Sequence, residues 1–550
     1  MEDLSDFLTQ NPELRPESPT RLALVHNSFR SASLARGVQR GKFSAHFPAL
    51  GLLSLARAIR DDIERKILPP IEIKYFDEEA YPSETALIAE VCNWLDQGER
   101  RFIGVSSYTV TIDRLGKLLA AFDSKRYVKI VGGAHATTAP MIENAHLVVR
   151  GEGHKPLRHI LNSFPSPAFF DPTHLKGIVF QFQGEQTVSP PRHERFIEEI
   201  PSPAFAYDLL PREDEGTQIY STNFKRALGS KPMIYVCTQS CRARCTFCST
   251  YLIHGKSVAR PVEKVEADLS YLIKECGADS LEFHDDDLLQ HPDLENLLTV
   301  IASFKVPWFC YGRVDSVTAH WAHRMAEAGC RRVFLGVEAM DQPTLDYFNK
   351  GSTVAQNKAA VACLDSVGIG VVAGFIIGAP HHTVHSILDQ MDHYLQLPLM
   401  GVNVSILSPD PGTVEFLRAK KANPDFEKVS VGKGHSLRLM PNVALFGARI
   451  PVGLPTVCNA VDKQTLNDLV ALIEAEFYLR PHIFDKMTKD LPSTEVDSIL
   501  KFLDFQRNSL QDLTTRANSG TLPEVISTRV LQAANRCKYA LMDRGVDYAA

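Results

Sequence analysis

The chain of 550 residues lacks the even, regularly spaced cysteines of a disulfide framework; it has 11, most of them lying singly. An odd, scattered set of thiols points to a reducing compartment, and so to the cytoplasm. No apolar run is long enough to cross a bilayer. The opening MEDLSDFLTQNPELRPESPT has no apolar signal core either, so neither a membrane span nor a secretory leader is expected. Basic excess is also missing, with 59 Lys and Arg against 65 Asp and Glu. With a net charge of −6 and no block of like charge, nucleic acid is not an expected partner. There is no internal repeat of fine period. What remains is an ordinary globular composition, 44% hydrophobic and 23% charged, in a chain long enough for two to four cores.

Residues 1–20 read as a loose lead-in. From 21 to 163 short β-rich runs alternate with amphipathic helical patterns: RLALVHN, IEIKYFD, FIGVSSY, YVKIVGGAH and LVVRGEG are strands, and FPALGLLSLARAIRDDIERKI, SETALIAEVCNWLDQ and IDRLGKLLAAF are helices. That order predicts a doubly wound, flavodoxin-like α/β unit with a parallel sheet. Residues 164–230 are rich in proline (FPSPAFFDPTHLKG, SPPRHERFIEEIPSPAFAYDLLPRE) and read as an extended linker.

A second alternation fills residues 231–417. MIYVC, SLEFHDDD, VPWFCYGRV, RVFLGVEA, GVVAGFIIG and GVNVSILSP are strand-like, with helical segments such as VEKVEADLSYLIKECG between them. Six strands in this pattern fit a partial (β/α)6, TIM-like barrel, whose chemistry belongs on the loops after the strands. Residues 418–550 are mainly helical and are expected to cap the barrel mouth, with Phe477–Pro481 (FYLRP) inside them.

Four of the cysteines fall within CTQSCRARCTFCST, on the loop leaving the first of these strands. Zinc takes four ligands, commonly as two separated pairs, and Cys237, Cys241, Cys245 and Cys248 supply four in one run. A redox pair would use two cysteines and leave a third unexplained. An iron–sulfur cubane held by Cys241, Cys245 and Cys248 would leave one iron free for a ligand. Cys237, at the strand end, then reads as a packed thiol.

The x3 then x2 spacing, with Phe247 just before the last cysteine, resembles the signature of the radical S-adenosylmethionine superfamily. The resemblance implies a [4Fe–4S] cluster on Cys241, Cys245 and Cys248, with S-adenosyl-L-methionine chelating the open iron. It implies a place near the methionyl amine for Asp285 and Asp286. For Glu338 it implies a place near the ribose or amine, and for Arg313 one near the carboxylate. The plain alternatives are a helix cap for Asp287 and a structural ion pair for Arg313 and Glu338. Gly374–Pro380 (GFIIGAP, with Gly378) resembles the strand that contacts adenine, and Ser408–Thr413 (SPDPGT) a loop common after the sixth strand or simply a turn.

In the first domain, Ser106, Ser107 and Tyr108 follow the third strand. Gly132, Gly133 and His135 follow the fourth, and Gly151, Glu152 and Gly153 close the fifth. All lie where such sheets bind ligands, and paired glycines let a ligand approach the backbone. With Phe47–Ala56 (FPALGLLSLA) this series resembles the cobalamin-binding domain found ahead of radical barrels, which implies methylcobalamin as a third cofactor. The Asp-x-His-x-x-Gly loop of many cobalamin domains is missing after RLALVHN. DPTHLKG (Asp171–Gly177) is one residue too long and lies in the linker, so no lower cobalt ligand is named.

The expected function is a cobalamin-dependent radical methyltransferase acting on an unactivated carbon, or on phosphorus, of a small molecule. Flavodoxin or ferredoxin is the expected electron donor. The same cofactors would serve a cyclase or rearrangement enzyme. A zinc-binding sensor with a degenerate first domain is the reading from another class. A methylthiotransferase would carry further N-terminal cysteines, and only Cys92 precedes the linker.

Overall fold

The structure, a computed structural model, describes residues 1–27, 47–108, 112–193, 202–211, 228–424, 426, 456–489 and 493–542. Parts of the expected linker (194–201 and 212–227) and of the expected cap (427–455) lie outside the described residues.

The first sheet contains β1 (Thr20–His26), β2 (Ile71–Asp77), β3 (Arg100–Ser106), β4 (Val128–Gly132), β5 (Leu147–Val149), β6 (Ile178–Phe182) and β7 (Glu185–Val188). Their order is β2-β1-β3-β4-β5-β6-β7, with β1 to β5 mutually parallel as the alternation predicts. Strands so placed are covered on both faces, which is why ALV, FIGV and KIV read as near-continuous apolar runs. Helix Leu50–Glu64 covers one face through Leu52, Leu53, Ala56 and Ile59. Helix Glu84–Leu95 covers the other through Leu87, Val91 and Leu95.

Two stretches differ from the sequence expectation. The antiparallel hairpin β6–β7 extends the sheet into the supposed linker. Gln183 and Gly184 turn it, both at positive φ, as a tight two-residue hairpin requires. The proline-rich flanks obscure the alternation of IVFQFQGEQTV. The lead-in, likewise, is not loose. Asp3 caps helix Leu4–Gln10 and also accepts from the amides of Gln183 and Gly184, while Leu4 and Phe7 are buried.

The second sheet runs β8 (Pro232–Tyr235), β11 (Ser280–Phe283), β12 (Trp308–Arg313), β13 (Cys330–Glu338), β14 (Gly370–Ile377) and β15 (Gly401–Ile406), neighbours in that order and all parallel. Between β8 and β11 a small antiparallel pair, β9 (Thr238–Gln239) and β10 (Val258–Ala259), brackets the cysteine loop. This is the partial barrel expected. Leu281, Phe283, Val333, Leu335, Val371 and Phe375 pack with the apolar stripes of the surrounding helices. By strand alternation Glu282, Tyr311, Arg313, Phe334 and Glu338 take the inner face.

Among the described residues of the expected cap, the helix that contacts the barrel packs along its side. Helix Lys463–Tyr478 is buried along almost its whole length and lies beside β15, the strand that ends the open sheet. The Tyr478 hydroxyl takes the Val402 amide (2.8 Å) and gives to the Val402 carbonyl (2.6 Å). Arg516 clamps this helix from outside by two bonds of 2.7 Å to Asp468. An open barrel leaves an apolar edge that must be covered, and this helix covers it. Its N-terminal approach, Cys458–Leu466, reaches the strand tops, where Cys458 meets the His382 carbonyl and Leu466 lies beside Gly378.

Candidate active site

The cysteine loop is held by three other strand-top loops. Gln290, after β11, donates to the Ser240 carbonyl (2.6 Å) and accepts from the Arg242 amide (3.1 Å). After β13, the Phe348 carbonyl takes the Thr246 amide (2.9 Å), and Asn349 donates to the Arg244 carbonyl (2.9 Å). After β15, the Glu415 amide bonds the Thr246 carbonyl (3.2 Å). Phe247, the aromatic of the motif, meets Phe348 edge to face at 5.1 Å. The loop therefore has a fixed shape.

Each sulfur of the trio has a hydrogen-bond donor. The Ala243 amide lies 3.4 Å from Cys241 Sγ, Arg313 Nη1 lies 3.5 Å from Cys245 Sγ, and Thr250 donates to Cys248 through its amide. Burial pushes the Cys241 and Cys248 thiols up, which a coordinating metal reverses by deprotonating its ligands. Donors around thiolates are what an anionic iron–sulfur cluster needs, so the donor set fits that group. Cys237 is different. It is fully buried in the apolar core and pushed well up by that burial. A four-cysteine zinc site would have to draw on it. Among the described residues no three His, Cys, Asp or Glu side chains converge on a single ion.

The three acids after β11 have three different settings. Asp285 is buried and accepts from the Thr238 amide and from its hydroxyl (2.7 Å), tying β11 to the base of the cysteine loop. Burial pushes it up to about 7 against these bonds. Asp286 faces the cavity, takes the Thr250 hydroxyl (3.1 Å) and is raised by its shielding from bulk water. Asp287 does not cap the short helix it precedes. It accepts from Ser316 (2.6 Å) and from the Arg313 amide (3.4 Å).

Arg313 turns toward the cysteines, with Nε on Asp315 (2.9 Å), Nη1 on Cys245 and Nη2 on the Lys350 carbonyl (2.7 Å). Burial works against its charge, but Asp315 keeps it firmly protonated. Glu338 sits at a bulge between β13 and β14 with φ of 67° and pairs with buried Lys350 at 2.8 Å. Gly378 has φ of 85° and gives its amide to His382 Nδ1 (3.1 Å). A side chain there would press on Ile406 and Leu466.

A cavity of about 440 Å³ lies between the two sheets' strand ends. From the first domain Ser106, Tyr108, Gly132, Gly133, Gly151, Glu152 and Gly153 line it, with Leu50–Leu52 and Leu55 of the FPALGLLSLA helix. From the barrel come Gln239, Ser240, Ile253, His254, His284 and Asp286. Gly133, at φ of 96°, has no room for a side chain, since a Cβ would come within 2.8 Å of Ser106 Oγ and 2.9 Å of the Ser107 amide. Ser107 and His135 are buried behind this wall. The Ser107 hydroxyl donates to the Gly132 carbonyl (2.7 Å) and accepts the Ala136 amide (3.0 Å), fixing the glycine turn. Asp171–Gly177 forms short turns away from the cavity, where Asp171 caps Thr173.

Several participants carry no sequence signal. Lys350 and Thr238 are recognisable only through partners that the fold brings near. Gln239 and His254 cross the domain boundary to Glu152, with His254 Nδ1 3.1 Å from its carboxylate. His382, buried and lowered by that burial to about 4, holds the Gly378 turn.

Comparison with known proteins agrees with this layout. The profile of the radical SAM superfamily matches residues 235–394. An uncharacterised methyltransferase of Pyrococcus horikoshii is 25% identical over 385 residues, 66% of this chain and 77% of that one. An anaerobic magnesium-protoporphyrin IX monomethyl ester cyclase of Cereibacter sphaeroides is 28% identical over 272 residues. That match covers 46% of this chain and 42% of the cyclase, so the chain spans less than half of that relative. Among solved structures, the cobalamin-dependent S-adenosylmethionine radical enzyme OxsB, with aqua-cobalamin and S-adenosylmethionine bound, superposes with a TM-score of 0.61 at 16% identity. It covers 99% of this chain and 86% of its own. At that identity the likeness is one of fold.

Proposed function

We propose that this chain, a cobalamin-dependent radical S-adenosylmethionine enzyme, is a methyltransferase acting on an unactivated carbon or a phosphorus of a small molecule. One observation carries the reading: the two flanks of the cysteine loop, Gln239–Ser240 and Ile253–His254, line one cavity with the glycine-bearing strand ends of the first domain, while Cys241, Cys245 and Cys248 lie on the loop between those flanks. When bound, the [4Fe–4S] cluster with S-adenosylmethionine supplies carbon-radical chemistry, and cobalamin supplies a transferable methyl group. The chain's part is to hold and shield.

Cys241, Cys245 and Cys248 would hold the cluster, and Gly378 with its apolar neighbours would wall the adenine. Asp286, open to the cavity beside Thr250, is placed to meet a cationic amine. Glu338 with Lys350 would meet ribose hydroxyls. Ser106, Tyr108, Gly132, Gly133, Gly151, Glu152 and Gly153 would carry the corrinoid, with Ser107 and His135 behind them. Apolar side chains such as Leu55 and Ile253 line the cavity, where they would help to shield a reactive radical from water. All 11 cysteines are unpaired, which supports a reducing compartment such as the cytoplasm. A flavodoxin- or ferredoxin-type donor would deliver the electron.

The test is anaerobic reconstitution with iron, sulfide and methylcobalamin. Candidate small molecules are then followed by mass spectrometry for a methyl group drawn from labelled S-adenosylmethionine. Product with no added methyl would favour the second reading, a radical cyclase or rearrangement, which the likeness to the anaerobic cyclase supports. Bound zinc in place of iron would end both.

A further inference from the structure

Among the described residues, Arg313 is the buried cation that touches a sulfur of the trio, whereas the resemblance implies a place for it near the cofactor's carboxylate. Its three donor nitrogens are all engaged: Nε with Asp315 (2.9 Å), Nη2 with the Lys350 carbonyl (2.7 Å) and Nη1 with Cys245 Sγ (3.5 Å). The backbone is pinned as well. Asp287 takes the Arg313 amide and the Ser316 hydroxyl, so the end of β12 is tied to the loop after β11. Lys350 is fixed in turn by its ion pair with Glu338. The guanidinium is 6% exposed and so acts in a poorly screened setting.

A guanidinium with every arm committed has little left for a substrate or cofactor carboxylate. We propose that Arg313 is a positioning residue for the iron–sulfur centre. Its fixed cation donates to the Cys245 sulfur and raises the cluster's reduction potential, making the cluster easier to reduce. The physical reason is that reduction adds negative charge to the cluster and its sulfurs, and a nearby cation and N–H donor stabilise the more negative state. Asp315 and the Lys350 carbonyl orient the fork. Lysine could supply the charge, but its donors radiate from one nitrogen and do not match the spread of the guanidinium fork. The inference rests on the reading of Cys241, Cys245 and Cys248 as cluster ligands.

The experiment compares the reconstituted full chain with Arg313→Gln and Arg313→Lys. It uses redox titration followed by electron paramagnetic resonance without S-adenosylmethionine, together with iron content and S-adenosylmethionine binding. Arg313→Gln should keep its iron. At a fixed solution potential its ratio of reduced to oxidised cluster should fall about tenfold, which for one electron is a downward shift of about 59 mV. Arg313→Lys should fall between the two. An unchanged potential in Arg313→Gln, with S-adenosylmethionine binding lost, would overturn the inference and return Arg313 to the cofactor's carboxylate. Loss of iron from both variants in a folded chain would also overturn it, by making the residue a prop of the loop. A wild-type chain that takes up no iron fails the earlier reading instead, and the two failures are distinct.

Discussion

The cysteine loop, whose flanks Gln239–Ser240 and Ile253–His254 line the cavity, and the glycine rim of the first domain across from it are built on opposite principles. The loop is over-determined. Gln290, Phe348, Asn349 and Glu415 bond its backbone from three directions, and each sulfur has its own donor. The rim is made partly by omission, with Gly132, Gly133, Gly151 and Gly153 leaving backbone bare between side chains such as Ser106, Tyr108 and Leu55. A cluster needs covalent ligands at set positions, whereas a large flat cofactor needs area and clearance. The loop should therefore fail abruptly on substitution, and the rim by degrees.

The most damaging change is in the loop. Replacing Cys241, Cys245 or Cys248 by Ala should remove iron and abolish turnover together, because the remaining thiols cannot hold the cluster. Iron assay and the visible spectrum check this, and iron retained at wild-type level would refute the ligand assignment. On the rim, Gly132→Val places a branched side chain on the cavity wall beside Val149. Overpacking of about 1–3 kcal/mol predicts corrinoid binding weakened roughly tenfold with iron content unchanged. Corrinoid stoichiometry and affinity equal to wild type would erase the contrast between the two regions.

The contrast also explains what could be read from the sequence. The trio Cys241, Cys245 and Cys248 is local, so its spacing is visible in the chain, and the glycine pairs sit at strand ends that alternation reveals. The five parallel strands and the six barrel strands follow from the same alternation. The hairpin β6–β7 was hidden between prolines, and Asp287 looked like a cap although its partners, Ser316 and Arg313, come from the next strand's end. Glu152, Gln239 and His254 meet across the domain boundary, and Lys350 meets Glu338 where β13 bulges. Contacts of this kind depend on the finished fold, and no local pattern announces them.

Asp285, tied to Thr238 at the base of the loop, has a pH signature. Its value in the folded chain is about 7, above the ordinary 3.8, so folding favours its protonated form. For a carboxyl raised in this way, stability is highest below the unfolded value. It falls as pH rises from about 4 to about 7, and levels off once both states are ionised. The span bounds the loss at about 4 kcal/mol, an upper limit for so buried a group. Denaturant midpoints of the metal-free chain between pH 5 and 7 should fall in wild type and stay flatter in Asp285→Asn. Equal slopes would show that another group sets the dependence.

The smallest effect is expected where the two regions join. Burial lowers the His254 imidazole, but the Glu152 carboxylate 3.1 Å away outweighs it and leaves the ring above its ordinary 6.5. A histidine raised in the folded state adds stability in full below its unfolded value and loses it as pH rises through the folded one. The Glu152 bridge to Gln239 and His254 should therefore hold the first domain to the cysteine loop more firmly at pH 6 than at pH 8. Glu152→Gln removes the charge, lets His254 fall back, and moves that window to lower pH. Because the imidazole is about a third exposed, the stability lost with that charge should be under about 1 kcal/mol. Histidine hydrogen–deuterium exchange read by mass spectrometry would follow the ring directly. A value for His254 that does not move in Glu152→Gln would mean that Asp286, not Glu152, sets its charge, and that the loop and the rim are coupled through the barrel's own acids.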